Sequence, residues 1–399
     1  MDCKTAYYVF DLRRAAERAA YLHGLLGENV SLAYAVKANP FLTGGLEKHV
    51  ERLEICSPGE AAICERFGVP DEKMVISGVY KTPEFIEISV AGHDGRIYTV
   101  ESLRQFDLLR ALSEKYGKRL PVLLRLTNDS QFGINESEIR DLISRRAEFP
   151  GLHILGVQFF SGTQKTSLRK LTREIAHLDA LLQGLETDFG YRAEELEYGT
   201  GFPVNYYAGE SLDEEALITG FRQVLEGMAF RAKITLELGR SMAACCGSYY
   251  THVVDKKCNK GQNYLLVDGG MHQIVYFGQY MGMKHPMLTL CGKETAPIAD
   301  SWNICGSLCS MNDILAKSVP LPEVAVGDTL CFHNAGAYCM TEGIALFLSR
   351  ELPAVYLIDE AGAEVLVRAP IETAQFNSPC ENTIELHGRK ERGNYGTTA

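Results

Sequence analysis

The chain has 399 residues, of which 46% are hydrophobic and 23% are charged, so its composition is that of an ordinary folded protein and its length predicts two domains. Its formal net charge of -11 argues against an extended nucleic-acid surface, because binding a phosphate backbone requires local positive charge.

The sequence also gives expectations about compartment and metals. No long apolar segment follows the first residues, and no run is long enough to span a bilayer. We therefore expect a cytoplasmic protein whose twelve cysteines are reduced thiols. Cys305 and Cys309 have no second pair of Cys or His residues at a matching interval, so we expect no metal site.

Apolar runs of strand length alternate with amphipathic runs of helix length in the first part of the chain. Residues 6–10 predict a first strand, and Asp11 is suited to cap a helix that runs to about Leu26. Eight further strands are predicted at residues 30–36, 53–56, 73–76, 96–99, 121–126, 154–160, 195–198 and 233–237. Helical patterns such as 101–116 and 167–185 lie between them. The natural closure of eight βα units is a TIM-type barrel.

This alternation ends after about residue 245. Later strands follow one another without helices, at residues 252–254, 264–267, 329–332 and 354–358. The expected fold class is therefore α/β, a (β/α)8 barrel with a second, mostly β domain. The predicted units are an N-terminal strand and helix at 1–25, the barrel at 26–245, the β domain at 246–386 and a polar tail at 387–399. We expect the first strand to join the β domain.

The clearest candidate for chemistry is the stretch at residues 31–40, Ser-Leu-Ala-Tyr-Ala-Val-Lys-Ala-Asn-Pro. An apolar run of strand length ends at Lys37, and Asn39-Pro40 closes it as a turn. Apolar neighbours favour the neutral amine, which is the form of lysine that attacks carbonyl groups. Spacing alone does not establish this role, because most lysines at strand ends point into water.

The loops after strands seven and eight are candidates for binding phosphate, as they often do in such barrels. The first loop, at residues 198–203, contains Gly199 and Gly201, which let backbone amides approach an anion closely. The second contains Gly239 and Arg240, and a guanidinium offers a charged fork to a phosphate. Each pattern alone is also typical of an ordinary turn or of a strand-end ion pair.

Taken together, these stretches resemble the fold type III, alanine-racemase-like pyridoxal-phosphate enzymes, and specifically the ornithine/diaminopimelate/arginine decarboxylase family. Residues 34–39 resemble the family's cofactor-lysine motif, residues 199–201 its glycine-rich phosphate loop, and residues 237–240 its Glu-Pro-Gly-Arg motif. This chain has Thr200 in place of the usual middle glycine. The resemblance implies that Lys37 holds pyridoxal 5'-phosphate as an internal aldimine.

The resemblance also implies which residues surround the cofactor. Those that hold its phosphate are Gly199, Thr200, Gly201, Gly239, Arg240 and Tyr338. Glu237 would contact the ring nitrogen, and a carboxylate there keeps the nitrogen protonated and makes the ring a strong electron sink. Alanine racemases place an arginine at this point, so Glu237 favours decarboxylation. Phe160 occupies the position of a histidine that stacks on the ring; phenylalanine still stacks but donates no hydrogen bond.

A second group of motifs concerns the substrate. The segment Cys-Gly-Ser-Leu-Cys-Ser resembles a decarboxylase segment whose cysteine protonates the carbanion across a dimer interface, and the matching residue is Cys309. Ser310 stands where an acidic residue normally binds the distal end of the substrate, and Tyr276 where diaminopimelate decarboxylases carry an arginine. His272 and Asp313 are further candidate contacts. The uncharged residues at both distal positions indicate an atypical amino acid, or one presented by a carrier protein.

The resemblance therefore implies decarboxylation of an amino acid, free or linked to a carrier protein, through a quinonoid intermediate in a homodimer with shared active sites. An amino-acid racemase or epimerase on the same fold is an alternative, and release of carbon dioxide separates the two. A cofactor-carrying or regulatory protein and a non-catalytic paralogue also remain open. The β domain with its Cys309 segment disfavours the regulatory reading.

Overall fold

The computed structural model describes residues 5–379, which form a closed barrel and a nine-stranded sheet. The predicted tail at 387–399, and the end of the predicted β domain at residue 386, lie outside the described residues. Among the helices of the described part, none is long and apolar enough to cross a membrane.

The described chain begins with strand β1 (Tyr7–Asp11) and helix α1 (Leu12–Leu26). The Asp11 carboxylate accepts hydrogen bonds from the backbone N–H groups of Arg13 and Arg14, so it caps the helix as the sequence predicts. The helix buries the side chains of Ala15, Ala19, Leu22 and Leu26. These residues are three or four positions apart and share one face, which packs on neighbouring helices of the barrel.

Eight parallel strands form the barrel in chain order. They are β2 (Val30–Ala35), β3 (Arg52–Ile55), β4 (Met74–Ile76), β5 (Ile97–Val100), β6 (Leu120–Arg125), β7 (Leu152–Phe160), β8 (Glu195–Gly199) and β9 (Lys233–Leu238). Strand β9 pairs with β2 and closes the barrel, with Val30 opposite Ile234 and Tyr34 opposite Leu238. The predicted barrel and its eight strands are confirmed.

The remaining helices surround the barrel or follow its last strand. They are α2 (Thr43–Leu46), α3 (Pro58–Arg66), α4 (Pro83–Gly92), α5 (Leu103–Tyr116), α6 (Glu136–Ser144), α7 (Leu168–Phe189), α8 (Glu214–Glu226) and α9 (Arg240–Ala243). Side chains at their N-termini explain several of the boundaries: Ser57 caps α3 and Ser102 caps α5, each accepting from a backbone N–H three residues on.

The second sheet contains β1 and eight later strands. These are β10 (Gly247–Asn259), β11 (Gln262–Val267), β12 (Leu288–Leu290), β13 (Asp300–Cys305), β14 (Ile314–Leu321), β15 (Thr329–Phe332), β16 (Ala354–Ile358) and β17 (Glu364–Arg368). β1 lies between β10, its antiparallel neighbour, and β16, its parallel neighbour. Sequence reasoning missed β12, β13, β14 and β17, which are short or carry polar residues.

Two hydrogen bonds join the β domain to the barrel beside Lys37. The Asn39 side-chain amide donates to the carbonyl of Gly336 at 2.9 Å, and the backbone N–H of Tyr338 donates to the carbonyl of Ala38 at 2.8 Å. The turn after β2 and the loop that carries Tyr338 are therefore held against each other. This contact places residues of both domains around one cavity.

Close packing of β7 against β8 gives a test of the barrel. A Cβ atom on Gly156 would lie 1.8 Å from the backbone oxygen of Glu195, so we expect Gly156→Ala to destabilise the protein by about 1–3 kcal/mol. The control is Gly24→Ala in α1, where a Cβ meets nothing within 4 Å and should stabilise by about 1 kcal/mol. Thermal unfolding compares the two; an unchanged midpoint for Gly156→Ala would contradict this packing.

Candidate active site

A cavity of about 690 Å³ lies at the carboxyl ends of the barrel strands. All nine residues that the sequence assigns to the cofactor line it: Lys37, Phe160, Gly199, Thr200, Gly201, Glu237, Gly239, Arg240 and Tyr338. They come from β2, β7, β8, β9 and the β domain. The fold thus brings together residues that are far apart in the chain.

Lys37 follows β2 and reaches into this cavity. Its Nζ lies 2.6 Å from Glu54 Oε2 and 3.3 Å from Cys56 Sγ. Burial lowers the pKa of Lys37, but the Glu54 carboxylate outweighs this effect and raises the pKa well above its usual value. The expectation of a neutral amine, drawn from apolar neighbours, is therefore wrong for this state of the protein.

The loop after β8 forms one wall of the cavity. Gly201 has a positive φ of 59°, and a Cβ there would lie 2.0 Å from the carbonyl oxygen of Gly162, so only glycine fits. A Cβ on Gly199 would lie 2.4 Å from the Phe160 ring. The backbone N–H of Thr200 donates to the carbonyl of Glu237 at 3.4 Å, which ties this loop to β9.

A buried lysine supports the same loop from behind. Lys165 Nζ donates to Glu174 Oε2 at 2.9 Å and approaches the Gly199 carbonyl at 3.4 Å. Its backbone N–H donates to the Gly201 carbonyl at 2.9 Å. The Tyr198 hydroxyl donates to the same Glu174 oxygen at 2.6 Å. The buried ion pair of Lys165 and Glu174 therefore holds the backbone of the loop at residues 199–201.

Arg240 is buried without an anion. Its guanidinium contacts the Tyr206 hydroxyl at 3.0 Å and Thr163 Oγ1 at 3.3 Å, and lies 4.6 Å from the centre of the Tyr338 ring. Within residues 5–379 no carboxylate forms an ion pair with it, although the side chain is only 7% exposed. A buried cation requires a compensating charge, so this end of the cavity fits a bound anion.

Glu237 lies inside the cavity at the end of β9. Its Oε1 accepts a hydrogen bond from Gln158 Nε2 at 2.6 Å. Burial raises the pKa of Glu237, and the Glu54 carboxylate adds to the effect. The cavity therefore contains a buried acid that would gain from a cationic partner.

Tyr338 closes the cavity from the β domain. Its hydroxyl would be 2.7 Å from a Cβ on Gly239, so glycine at position 239 leaves room for this ring. Burial raises the pKa of Tyr338 to about 12, and the hydroxyl is therefore neutral. A neutral hydroxyl beside Arg240 is suited to donate to an anion.

Sequence reasoning missed charged residues whose role depends on their partners in neighbouring strands. Glu54 pairs with Lys37, and Arg125 Nη1 pairs with Glu101 Oε1 at 2.7 Å. Glu54 and Arg125 line the cavity. Their signal in the sequence was a charged residue inside an otherwise apolar strand of a closed barrel, where each inward side chain needs a partner.

Five predicted residues do not line the cavity of their own chain. Cys309 and Ser310 lie in the loop between β13 and β14, where Cys309 is exposed. Asp313 closes this loop, because its carboxylate accepts from the backbone N–H groups of Met271 at 2.7 Å and Leu308 at 2.8 Å. For these residues, contact with a substrate stays a prediction that requires a second chain.

The other two residues lie inside the β domain. The Tyr276 hydroxyl donates to the carbonyl of His333, and the ring is 3% exposed. His272 is 2% exposed, and burial, aided by the charge of Arg350, lowers its pKa to about 4. Packing accounts for the Tyr276 side chain, whereas His272 Nδ1 is buried without a hydrogen-bond partner among residues 5–379. For both residues, contact with a substrate stays a prediction.

Comparison with known proteins agrees with this geometry. A family model described as "Pyridoxal-dependent decarboxylase, C-terminal sheet domain" matches residues 7–336. The chain belongs to this family. The decarboxylase therefore acts on an amino acid with pyridoxal 5'-phosphate as its cofactor.

Its relatives include enzymes with different substrates. The decarboxylase is 26% identical over 342 residues to the L-glutamyl-[BtrI acyl-carrier protein] decarboxylase of Niallia circulans, covering 79% of each chain. It is 27% identical over 328 residues to the diaminopimelate decarboxylase of Aquifex aeolicus, covering 77% of this chain and 76% of that one. The chain is 20% identical to the Helicobacter pylori diaminopimelate decarboxylase whose structure was solved in complex with L-lysine. The match covers 94% of this chain and 96% of that one, with a TM-score of 0.80.

The residues present fit this cofactor. Arg240, the glycine loop and Tyr338 provide a cation, a backbone wall and a hydroxyl for its phosphate, and the buried guanidinium gains the anion that it lacks. Glu237 provides a carboxylate for the ring nitrogen, and Lys37 an amine for the carbonyl carbon. The cavity thus offers one group for each reactive part of pyridoxal 5'-phosphate.

The unpaired guanidinium gives a second prediction. Arg240→Met should weaken binding of pyridoxal 5'-phosphate about 10- to 100-fold, because it removes hydrogen bonds to a charged group. Binding of pyridoxal, which has no phosphate, should hardly change. Fluorescence titration of the cofactor-free protein measures both affinities, with Arg240→Lys as the charge-conserving control. An equal loss for both ligands would show that Arg240 does not bind the phosphate.

Proposed function

We propose that this cavity is the decarboxylation site and that Lys37 is the residue that binds the cofactor and gives it up to the substrate. The observation that carries the proposal is the shared cavity, in which Lys37, a buried acid at Glu237 and an unpaired cation at Arg240 line one space. Pyridoxal 5'-phosphate, when bound, supplies an electron-accepting ring.

The chain's own residues orient and polarise this arrangement. Glu237 would hold a proton on the ring nitrogen of the bound cofactor, because a buried carboxylate is stabilised by an adjacent cation. Glu54 holds the Lys37 amine at 2.6 Å and can take up or return its proton. Phe160 offers an apolar face to the ring. Arg240 and the loop at residues 199–201 fix the phosphate end, so the reacting end is held in one position.

The substrate that we propose is an amino acid without the common distal recognition groups, either free or attached to a carrier protein. Ser310 replaces the acidic residue that the family resemblance leads us to expect after the cysteine. The carrier-dependent relative from Niallia circulans supports the second form of delivery.

We further propose a cytoplasmic homodimer in which Cys309 of one chain completes the site of the other and protonates the substrate carbon. The thiol is exposed outside its own cavity, and its neighbour Met311 is 87% exposed. Exposed apolar side chains at Ile344, Phe347 and Leu348 support burial against a second copy. The ten cysteines of the described part are free thiols, as a reducing compartment maintains them.

Release of carbon dioxide tests the reaction. The cofactor-loaded protein should release it from at least one member of a panel of L- and D-amino acids offered free and carrier-bound. Lys37→Ala should abolish both this release and the absorbance band of the lysine-bound cofactor, since no other lysine of the described residues lines the cavity. Loss of chirality without carbon dioxide would instead establish a racemase, and full activity of Lys37→Ala would exclude the proposed role.

Mixing two inactive variants tests the shared site. Lys37→Ala and Cys309→Ala should each be inactive or nearly so. After unfolding and refolding together, they should recover about a quarter of wild-type activity, because half of the dimers are mixed and one site in each is intact. Sedimentation equilibrium confirms the dimer. If Cys309 serves its own chain, the mixture stays as inactive as the single variants.

A further inference from the structure

In the barrel interior beneath Glu237, the carboxyl groups of Glu195 and Glu197 share the guanidinium of Arg52. Arg52 Nη2 pairs with Glu195 Oε2 at 2.7 Å. In the same interior, Lys37 pairs with Glu54 and Arg125 pairs with Glu101. Glu197 has to share its cation, because Arg52 Nη1 donates to Glu197 Oε2 at 3.5 Å while the same guanidinium is bound more closely to Glu195.

The strand register places Glu197 directly below the site. Gln158 on β7 is opposite Glu197 on β8, which is opposite Thr235 on β9. Glu237 lies two residues further along β9, so its side chain points to the same side of the sheet as that of Thr235. Glu197 and Gln158 are both 0% exposed. This layer is therefore sealed from solvent directly beneath the carboxylate that lines the cavity.

Two buried oxygen atoms in this layer have no hydrogen-bond donor among residues 5–379. Glu197 Oε1 and Gln158 Oε1 are both buried without a hydrogen-bond donor in the described part of the chain. The register brings Glu197 and Glu237 to the same side of two adjacent strands, and a hydrogen bond between their carboxyl groups raises the pKa of Glu197 and lowers that of Glu237. Two carboxylate oxygens only accept hydrogen bonds, so this contact requires a proton.

We propose that Glu197 holds this proton and donates it to Glu237, so that Glu197 is a positioning residue for the carboxylate that faces the cofactor's ring nitrogen. This inference rests on the proposed function only in placing Glu237 at that nitrogen. Gln158 Nε2 provides the second donor, at 2.6 Å from Glu237 Oε1. Two donors from below would keep Glu237 ionised and oriented in a place where solvent cannot stabilise it.

The electrostatic surroundings agree with this assignment. Burial raises the pKa of Glu197 well above its usual value, and the negative charges of Glu237 and Glu195 raise it further, while Arg52 lowers it. For Glu237, the hydrogen bonds from Glu197 and Gln158 lower the pKa against the effect of burial. The proton therefore belongs on the lower of the two acids.

Infrared spectroscopy tests the proton directly, without substrate. The full-length protein, with and without cofactor, should show the carbonyl stretching band of a buried protonated carboxyl group, and Glu197→Gln should remove it. Glu174→Gln is the control, because Glu174 forms an ion pair with Lys165 away from this layer. Burial raises the pKa of Glu174, but hydrogen bonds from Lys165, Ser161 and Tyr198 outweigh this effect and lower it, so the loss of Glu174 should leave the band. A band that persists in Glu197→Gln but vanishes in Glu237→Gln would overturn the proposal, and so would the absence of any such band in the wild type.

Cofactor affinity gives an independent readout. Glu197→Gln keeps a neutral donor below Glu237 and should bind pyridoxal 5'-phosphate as the wild type does. Glu197→Leu removes the donor and should weaken binding about 10-fold or more, with a shift in the pH at which the cofactor's absorbance changes. If Glu197 were instead an anion paired with Arg52, Glu197→Gln would be as damaging as Glu197→Leu. Should Glu197→Leu not fold, the infrared result on Glu197→Gln still decides.

These readouts are separate from the reaction itself. If no substrate releases carbon dioxide while the band and the affinities follow the expected pattern, the proposed substrate and reaction assignments fail and the proton assignment stands. If carbon dioxide is released but the band is absent from the wild type, the proton assignment alone fails.

Discussion

Burial of charge inside the barrel constrains every other feature of the site. A charged group out of contact with solvent is tolerated only beside an opposite charge or several hydrogen-bonding partners, which are acceptors for a cation and donors for an anion. Lys37 and Arg52 meet this requirement through carboxylates on the barrel strands. Arg240 has only neutral partners in the described residues. Under the proposed function, the phosphate of the cofactor would complete a charge balance that the described residues leave open at Arg240.

The two domains form the site through backbone contacts as much as through side chains. Ala38, one residue beyond Lys37, accepts a hydrogen bond from the N–H of Tyr338. A small displacement of the β domain would move the tyrosine hydroxyl away from Arg240 and loosen the turn that holds Lys37. The position of Tyr338 beside Arg240 and the position of Lys37 therefore depend on the same backbone contact.

The barrel strands and most residues of the cavity wall could be predicted from the sequence, because each depends on a short segment. Buried strands are apolar runs between turns, and the glycine loop and the lysine motif are contiguous. The charged partners of these residues could not be predicted from the sequence, because the strand order and register decide which side chains meet. Glu54 is near Lys37 only because β3 lies beside β2, and this neighbour reverses the expectation of a neutral amine. Likewise, the motif around His272 gave no sign that the side chain is packed inside a domain.

The placement of β1 has a consequence for how the protein folds. This strand is made among the first residues, yet its two neighbours, β10 and β16, come much later; Tyr7 is opposite Ala354. During synthesis the strand must wait, unpaired, while the whole barrel and most of the second sheet emerge. Contacts of such long sequence separation slow folding and leave an exposed strand edge prone to aggregation. Helix α1 can pack on the barrel helices α2 and α8, but β1, which precedes it, gains both of its neighbouring strands only when the C-terminal sheet has been made.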